Sequence, residues 1–482
     1  MKICLLIPPA STLEKIPERV YGCTYSIYKQ PELPLLYVGA ILEREGHIIE
    51  LQDFSSDHDG KSFQDFVHRQ TCDLYILHTV LLAQTIDILA GRFILANSEA
   101  RIIYFGPHPT LKPEEFLWDD RCFVVRGEAE LTIRDLVAAL PDKRFSAIKG
   151  ISYLADGRLI ENETSGIISD IDSLPMPARH LLKDRQDYFN PKLSERPVSL
   201  VLTSRGCRFR CYYCVPNSIS WARELEWRRF HDNKKPPVTL RSPANIAEEF
   251  RIIKQSGYRA AAIVDDMFLF GGKKRILDLC GRLEGVGLPF GGLARCDLIL
   301  DEEVVAALAR AGCRYMDLGI ESLDQGILKD IRKDLDVAKV RQAIQLLHQH
   351  GIEPKANIMF GASPLETQET INSTINEISS YPINYCMFLI ATPFPGTEFS
   401  QKALAKGWAL EPEIHDLEKN LSPTEKSLIA YQHLPKEELE KAVKKANRRF
   451  YLHPSRILYQ LKKIDSFAAL KNLIVTGWHV IK

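Results

Sequence analysis

The sequence has no surplus of charge of either sign: 62 Lys and Arg stand against 62 Asp and Glu in 482 residues. The overall field therefore gives no support to a polyelectrolyte partner, and nucleic acid is not expected. Long apolar runs are missing too. The greasiest stretch, Asp73 to Phe93, is broken by His78, Gln84, Asp87 and Arg92, whereas a spanning helix needs about 18 apolar residues. The opening run from Met1 to Ile7 meets Pro8-Pro9 at once and lacks a small-residue cleavage site, which argues against a signal peptide. Internal repeats and low-complexity segments are absent. Eleven cysteines, odd in number and scattered, do not make a disulfide framework and fit a reducing compartment. The expectation is a soluble, cytoplasmic, multidomain α/β protein.

At about 150 residues per domain, the length suggests roughly three domains. Residues 1–140 alternate short apolar runs with helical patterns, with strands expected at Lys2–Ile7, Ile48–Gln52, Leu74–His78, Arg101–Phe105 and Phe123–Arg126. Such alternation builds a parallel sheet from βαβ units, whose ligands sit at the strand carboxyl ends. Residues 141–195 read as a connector holding one hairpin, Ile151–Leu154 and Leu159–Glu161. A second α/β series over 196–405 has strands expected at Ser199–Thr203, Ala260–Val264, Tyr315–Gly319, Ala356–Phe360 and Tyr385–Leu389, which fits a partial or full β/α barrel. Residues 406–482 are helical, and from Tyr431 onward carry 11 basic against 4 acidic residues.

One motif stands above the rest: Cys207-Arg208-Phe209-Arg210-Cys211-Tyr212-Tyr213-Cys214, directly after an expected strand. Three thiolates on one short loop suit three corners of a 4Fe-4S cluster, leaving one iron for an exogenous ligand. A structural zinc site would want a second cysteine pair nearby, and the sequence has none.

With these residues in view, 198 to about 400 resembles the radical S-adenosylmethionine (SAM) superfamily. The resemblance makes Cys207, Cys211 and Cys214 the cluster ligands and places Tyr213 near the adenine. It puts Asp265, in Ile263–Phe268, near the SAM amino group, Arg295 on its carboxylate, and Glu321 and Ser322 in support. Met359–Ser363 with Glu366-Thr367 looks like a degraded form of the family's G-x-P-x-E-T turn, and Pro393–Thr397 like a turn near the barrel's end. A zwitterion needs a cation for its carboxylate and an acceptor for its amine, and bidentate Arg geometry suits the first.

No G-x-G-x-x-G follows the first strand, which argues against a dinucleotide site. The order Ile7-Pro8-Pro9, Pro34–Tyr37, Phe105–Thr110 and Val125–Glu130 instead resembles the cobalamin-binding, Rossmann-like domain of cobalamin-dependent radical SAM enzymes, closest to the group with the anaerobic magnesium-protoporphyrin ester cyclase and the hopanoid methylases. That resemblance implies cobalamin contacts from Pro9, Leu36, His78, Thr79, Gly106, Pro107, His108, Thr110, Gly127, Glu128 and Glu130. Asp57-His58-Asp59-Gly60 has the wrong spacing for D-x-H-x-x-G, so the corrin is expected base-off with no protein His beneath cobalt. A competing resemblance, to two-cluster methylthiotransferases, would use Cys23, Cys72 and Cys122 for a second cluster. A non-catalytic cobalamin sensor would need the triad to be vestigial.

The main resemblance implies a methyltransferase acting on an unactivated carbon through a 5′-deoxyadenosyl radical and methylcobalamin, with a cyclase or rearrangement enzyme as the alternative. Implied partners are a small molecule of lipid or tetrapyrrole type and a flavodoxin- or ferredoxin-type electron donor. Trp221 to Thr239 reads as a loop that is either a plain surface segment or a cap. The basic tail suits either packing on the barrel or peripheral contact with an anionic membrane.

Overall fold

The computed structural model describes the chain except residues 11–14, 26–27, 70–71, 184, 411–416, 423 and 463–482. It divides into two compact units: Met1–Arg208 with Val215–Pro289, and Phe209–Cys214 with Phe290–Lys482.

In the first unit, β1 (Lys2–Ile7), β2 (Ile48–Asp53), β3 (Leu74–His78), β4 (Arg101–Phe105) and β5 (Cys122–Val125) form a parallel sheet extended by an antiparallel hairpin, β6 (Ile151–Ala155) and β7 (Arg158–Glu161). Its order is 2-1-3-4-5-6-7. Both faces are covered. Ile3, Leu5 and Ile7 join one core with Leu35, Leu36 and Leu136, while Cys4 and Leu6 join another with Phe63, Tyr75 and Ile94. Burial on both faces is why β1 reads as a continuous apolar run rather than an alternating one. The strand order reverses between β1 and β3, and a crevice outside the carboxyl ends is the ligand position such sheets favour. The same unit holds β8 (Val198–Val201), β9 (Ser204–Arg205), β10 (Thr239–Leu240) and β11 (Ala260–Ile263); β8 and β11 pair in parallel, β9 and β10 antiparallel.

The expected loop from Trp221 is instead mostly helix, Ser218–Phe230, with Trp221 and Leu225 buried. The Asn217 side chain caps it by accepting from Ser220 N at 3.0 Å. Sequence periodicity misses this helix because Arg223, Glu224 and Glu226 are also buried, which erases the polar face that normally marks a surface helix.

The second unit carries parallel strands β12 (Phe290–Ala294), β13 (Cys313–Glu321), β14 (Glu353–Phe360) and β15 (Tyr385–Ile390). With β8 and β11, the described residues supply six parallel strands of this series, a partial barrel set rather than eight. β12 escapes a propensity reading because glycines weaken strands. Here Gly291 is required, since a Cβ would stand 2.2 Å from the Tyr315 ring.

The start of the basic tail packs into this unit. Helix Lys436–Tyr451 buries Leu439, Val443, Ala446 and Phe450, and buried Arg456 donates to the carbonyls of Ile383, Ser379 and Tyr381. Residues 463–482 of the expected amphipathic tail lie outside the described ones. No described helix is long and apolar enough to cross a membrane.

Candidate functional site

In the first unit, the cysteine loop leaves β9 through Gly206, which holds φ +89°. A side chain there would meet Arg223 Nη1 at 2.8 Å, so the turn into Cys207 depends on glycine. Gly206 N donates to Asp266 Oδ2 at 3.1 Å, and Asn217 N, beyond the loop, donates to Asp266 Oδ1 at 2.7 Å. One carboxylate therefore clamps the entry and exit of the loop. Burial pushes the Asp266 carboxyl up to about 6. Its neighbour Asp265, the residue singled out in the sequence, is fully buried and accepts from Thr203 N at 2.6 Å, Thr203 Oγ1 and Ser204 Oγ. Asp265 braces the strand end, and the clamp is the residue that sequence reasoning passed over.

Cys207, Cys211 and Cys214 are each half-buried and in no disulfide. Three accessible thiols on one turned loop are a donor set that fits a cluster with one open iron.

In the second unit, Tyr212 fixes the loop's later half: its hydroxyl donates to Ala362 O, and its carbonyl accepts from Phe399 N at 2.9 Å. Tyr213 is half-buried, and burial, then the nearby Glu321, pushes its phenol well above the ordinary range. Arg295 follows β12 with its fork on Asp297, both contacts at 3.0 Å, and its guanidinium 3.8 Å from the Phe209 ring centre. Two of its donors are thus already committed, and a third goes to Lys333 O at 2.7 Å. Lys333, absent from the sequence reading, is buried with its ammonium 3.1 Å from Glu321 Oε1. Glu321 ends β13 at φ +70°, a left-handed backbone that a non-glycine residue holds only at a cost. Ser322 is buried and its hydroxyl accepts from Asp324 N at 3.1 Å. Tyr213, Arg295, Glu321 and Lys333 thereby present an aromatic ring, two cations and a carboxylate, a set that fits a zwitterionic amino acid joined to a purine.

The degraded turn is anchored by buried hydrogen bonds. Gly361 N donates to Glu366, whose buried carboxyl is pushed up to about 8 by desolvation. Tyr431 Oη donates to Gly361 O at 2.8 Å, and Ser363 Oγ to Asp330 at 2.6 Å.

The N-terminal candidates follow the carboxyl ends of β1, β3, β4 and β5, as expected. Gly106 sits at φ +117°, and a Cβ would stand 2.6 Å from Thr79 O. Thr110 Oγ1 donates to Gly106 O at 2.7 Å and accepts from Gly127 N at 3.1 Å, stitching two loops together. Pro9, Pro107 and His108 are buried, and His108 Nε2 lies 3.1 Å from Glu115, whose carboxyl that contact holds down to about 2. Leu36 is a core residue with its carbonyl taken by Ala178 N, and Pro34, two residues before it, lines the strand-end cleft. Glu128 Oε1 and Glu130 Oε1 accept from Arg205 at 2.7 and 2.5 Å, all three buried. A cleft lined by His78, Gly106, Gly127, Glu130 and Ser218 opens here. His78 Nε2, Thr79 Oγ1 and Glu130 Oε2 are buried beside it without a hydrogen-bond partner. Orphaned polar atoms at a strand-end cleft ask for a polar partner, and the amides or nucleotide tail of a corrin are of that chemistry. Gly106→Val is expected to lower cobalamin retention at least about tenfold and, because its Cβ meets the Thr79 carbonyl at φ +117°, to cost stability as well; corrin absorbance after desalting, with a urea midpoint alongside, separates the two effects.

The alternative second-cluster cysteines are not gathered. Cys72 and Cys122 stand at the amino ends of β3 and β5, whereas Gly22, next to Cys23, abuts Val80 beyond the carboxyl end of β3. Among the described residues, the one close group of thiols and carboxylates is Cys4, Glu50 and Cys72, on and beside β1, β2 and β3.

Residues 201–378 match the radical SAM superfamily. Over 478 residues, 97% of this chain and 96% of the other, the sequence is 28% identical to an uncharacterized methyltransferase of Pyrococcus horikoshii. It is 25% identical to the anaerobic magnesium-protoporphyrin IX monomethyl ester cyclase of Synechocystis over 449 residues, 90% of this chain and 82% of the cyclase. The fold resembles OxsB, a cobalamin-dependent SAM radical enzyme solved with aqua-cobalamin and SAM, with a TM-score of 0.67 at 15% identity, covering 99% of this chain and 70% of that one.

Proposed function

We propose that this chain, a radical SAM enzyme, is a cobalamin-dependent methyltransferase acting on an unactivated carbon of a small molecule. The carrying observation is the combination, in one chain, of the three-cysteine loop clamped by Asp266 and a 2-1-3-4-5 sheet whose strand-end cleft is ringed by orphaned polar atoms. The near full-length likeness to a methyltransferase, against a shorter match to the cyclase, favours methyl transfer over cyclisation.

When bound, the cluster with SAM supplies a carbon radical, and the corrin supplies a transferable methyl group. Cys207, Cys211 and Cys214 would hold the cluster, with the loop anchored through the backbone amides of Gly206 and Asn217 and through the hydroxyl and carbonyl of Tyr212. Tyr213, Arg295, Glu321 and Ser322, with Lys333 added, would bind SAM. Arg295 is forked on Asp297 and Lys333 is paired with Glu321, so either cation would meet the carboxylate with one partner already in place. Asp265 acts through the strand end it braces. Pro9, Thr79, Gly106, Pro107, Thr110, Gly127 and Glu130 would meet the corrin and its tail, while His108 and Glu128 set the loops behind them. A substrate of lipid or tetrapyrrole type and a flavodoxin- or ferredoxin-type donor belong to the same proposal; the relative that closes a ring on a magnesium porphyrin ester supports the tetrapyrrole class.

The test needs no substrate. Anaerobically reconstituted protein is given dithionite, cobalamin and methyl-labelled SAM. Label on the corrin and slow release of 5′-deoxyadenosine are expected. Absence of both products from protein carrying about four irons would overturn the reading.

A further inference from the structure

Register sets side chains of neighbouring strands in rows on one face of a sheet. One such row crosses the amino-terminal half of the first sheet. Cys4 of β1 stands beside Glu50 of β2 on one side and Tyr75 of β3 on the other. Cys72, just before β3, joins them in the same buried core as Cys4 and Tyr75. The Cys72 thiol donates to Glu50 Oε1 at 3.1 Å. One ligand atom from each of Cys4, Glu50 and Cys72 lies within 4.8 Å of the other two. Neither thiol is in a disulfide.

A second observation marks the same spot. Tyr75 is 0% exposed, and its hydroxyl has no hydrogen-bond partner among the described residues. Buried polar atoms nearly always find partners, so the exception asks for a reason. Burial, and after it the Cys72 and Cys4 thiols, push the Tyr75 phenol above the ordinary range. The orphaned hydroxyl therefore lies beside the two sulfurs. Glu50 and Lys2 are partly exposed, which gives an ion a way in from that edge of the row. Lys2 Nζ stands 3.4 Å from Glu50 Oε1.

We propose that Cys4, Cys72 and Glu50 hold a zinc ion that ties β2, β1 and β3 together in the amino-terminal half of the sheet. Two sulfurs and a carboxylate are a donor set that zinc takes in tetrahedral geometry. Ligand atoms around such an ion stand about 3.5–3.8 Å apart, so the three need to shift by about 1 Å or less. Binding involves no redox step: both thiols give their protons to solvent, and their sulfurs bind as thiolates. Two thiolates and a carboxylate outweigh the charge of the ion by one, and the Lys2 ammonium beside Glu50 offsets that excess. The fourth corner falls to a water held by the Tyr75 hydroxyl, an outer partner of the kind that orients metal ligands. The sequence hides the site because its ligands come from three separate segments rather than from one C-x-x-C loop. The site stands apart from the strand-end cleft and does not depend on the cobalamin reading.

The experiment uses the full chain, reconstituted with iron so that Cys207, Cys211 and Cys214 are occupied, then kept reduced, incubated with zinc chloride and desalted. About one zinc per chain is expected to remain. X-ray absorption at the zinc edge, which iron and cobalt do not obscure, should show two sulfurs at about 2.3 Å and oxygen for the remaining ligands. Cys72→Ser is expected to weaken zinc binding at least about tenfold, since even outer partners of a zinc ligand carry that much. Glu50→Gln, at a partly exposed position, should weaken it as well and carries the test if Cys72→Ser does not fold. Cys122→Ala should keep the wild-type zinc. A wild-type chain that retains no zinc overturns the proposal. So do three or four sulfurs around the ion, which would place it on other cysteines, and so does zinc binding that is unchanged in the folded variants.

Discussion

Replacing Cys211 with alanine is expected to reduce 5′-deoxyadenosine formation to background and to drop iron from about four per chain to below one after reconstitution. Two thiolates cannot hold a cubane that needs three protein corners, and the loop's remaining anchors do not compensate. Gly206 and Asn217 stay clamped on Asp266, and Tyr212 stays bonded to Ala362 O, so circular dichroism and solubility should match the wild type. The contrast is Cys122→Ala. That thiol is buried at the start of β5, and burial pushes it up to about 12, the behaviour of a packed, protonated side chain rather than a metal ligand. Its loss should leave iron and deoxyadenosine unchanged. Iron near eight per chain in the wild type, falling by half in Cys122→Ala, would instead revive the two-cluster methylthiotransferase reading.

The first sheet was legible because most of its strands are short apolar runs ended by Pro, Gly or a polar turn, and the structure differs mainly in strand bounds. The hairpin 151–161 was legible as a hairpin, but not its pairing with β5, which depends on residues far apart in the chain. Two elements stayed hidden for one physical reason: their sequence signal was spent on packing. β12 gives up side chains to make room for Tyr315, and the helix Ser218–Phe230 turns its charges inward to ion pairs.

At the site, motif spacing singled out the cysteines, and the family resemblance pointed to Tyr213, Arg295, Glu321 and Ser322. Neither could rank Asp265 against Asp266. Adjacent residues on an extended segment point to opposite sides, and which side holds the cysteine loop is a tertiary fact. Lys333 follows a short helix in Arg332-Lys333-Asp334, a string that resembles any solvated charge run. What sets it apart is burial against Glu321. Leu36, carried by the family pattern, lies in the helix Leu33–Arg44 with its side chain in the core on one face of the first sheet.

Arg205→Met is expected to be the most destabilising single change in the first unit, by about 3–5 kcal/mol, because it removes one partner of a buried ion cluster. Arg205 is 1% exposed and reaches Glu128 and Glu130 with separate nitrogens, with the Tyr37 ring 5.6 Å from its guanidinium. Burial opposes its charge, but Glu130 and Glu128 more than restore it, so the guanidinium pKa is raised and the group is charged at every working pH. After the change Glu128 keeps only Ile168 N, at 2.6 Å, and the distant Arg223, at 3.7 Å. Glu130 already has one oxygen without a hydrogen-bond partner, and the other loses the contact to Arg205 Nη2. Two carboxylates would then share a buried space, and at least one must protonate or draw water in. Arg205→Lys should fall between, since one ammonium cannot fork onto two carboxylates. The decisive comparison is Arg205→Met with Glu130→Gln. Removing a stranded charge along with its lost partner should recover part of the stability, so the double variant should exceed Arg205→Met alone. Urea midpoints read by tryptophan fluorescence measure all four proteins. A double variant no more stable than the single would mean that the cluster's charges are solvated and that this ion pair does not hold β9, and hence the root of the cysteine loop, in place.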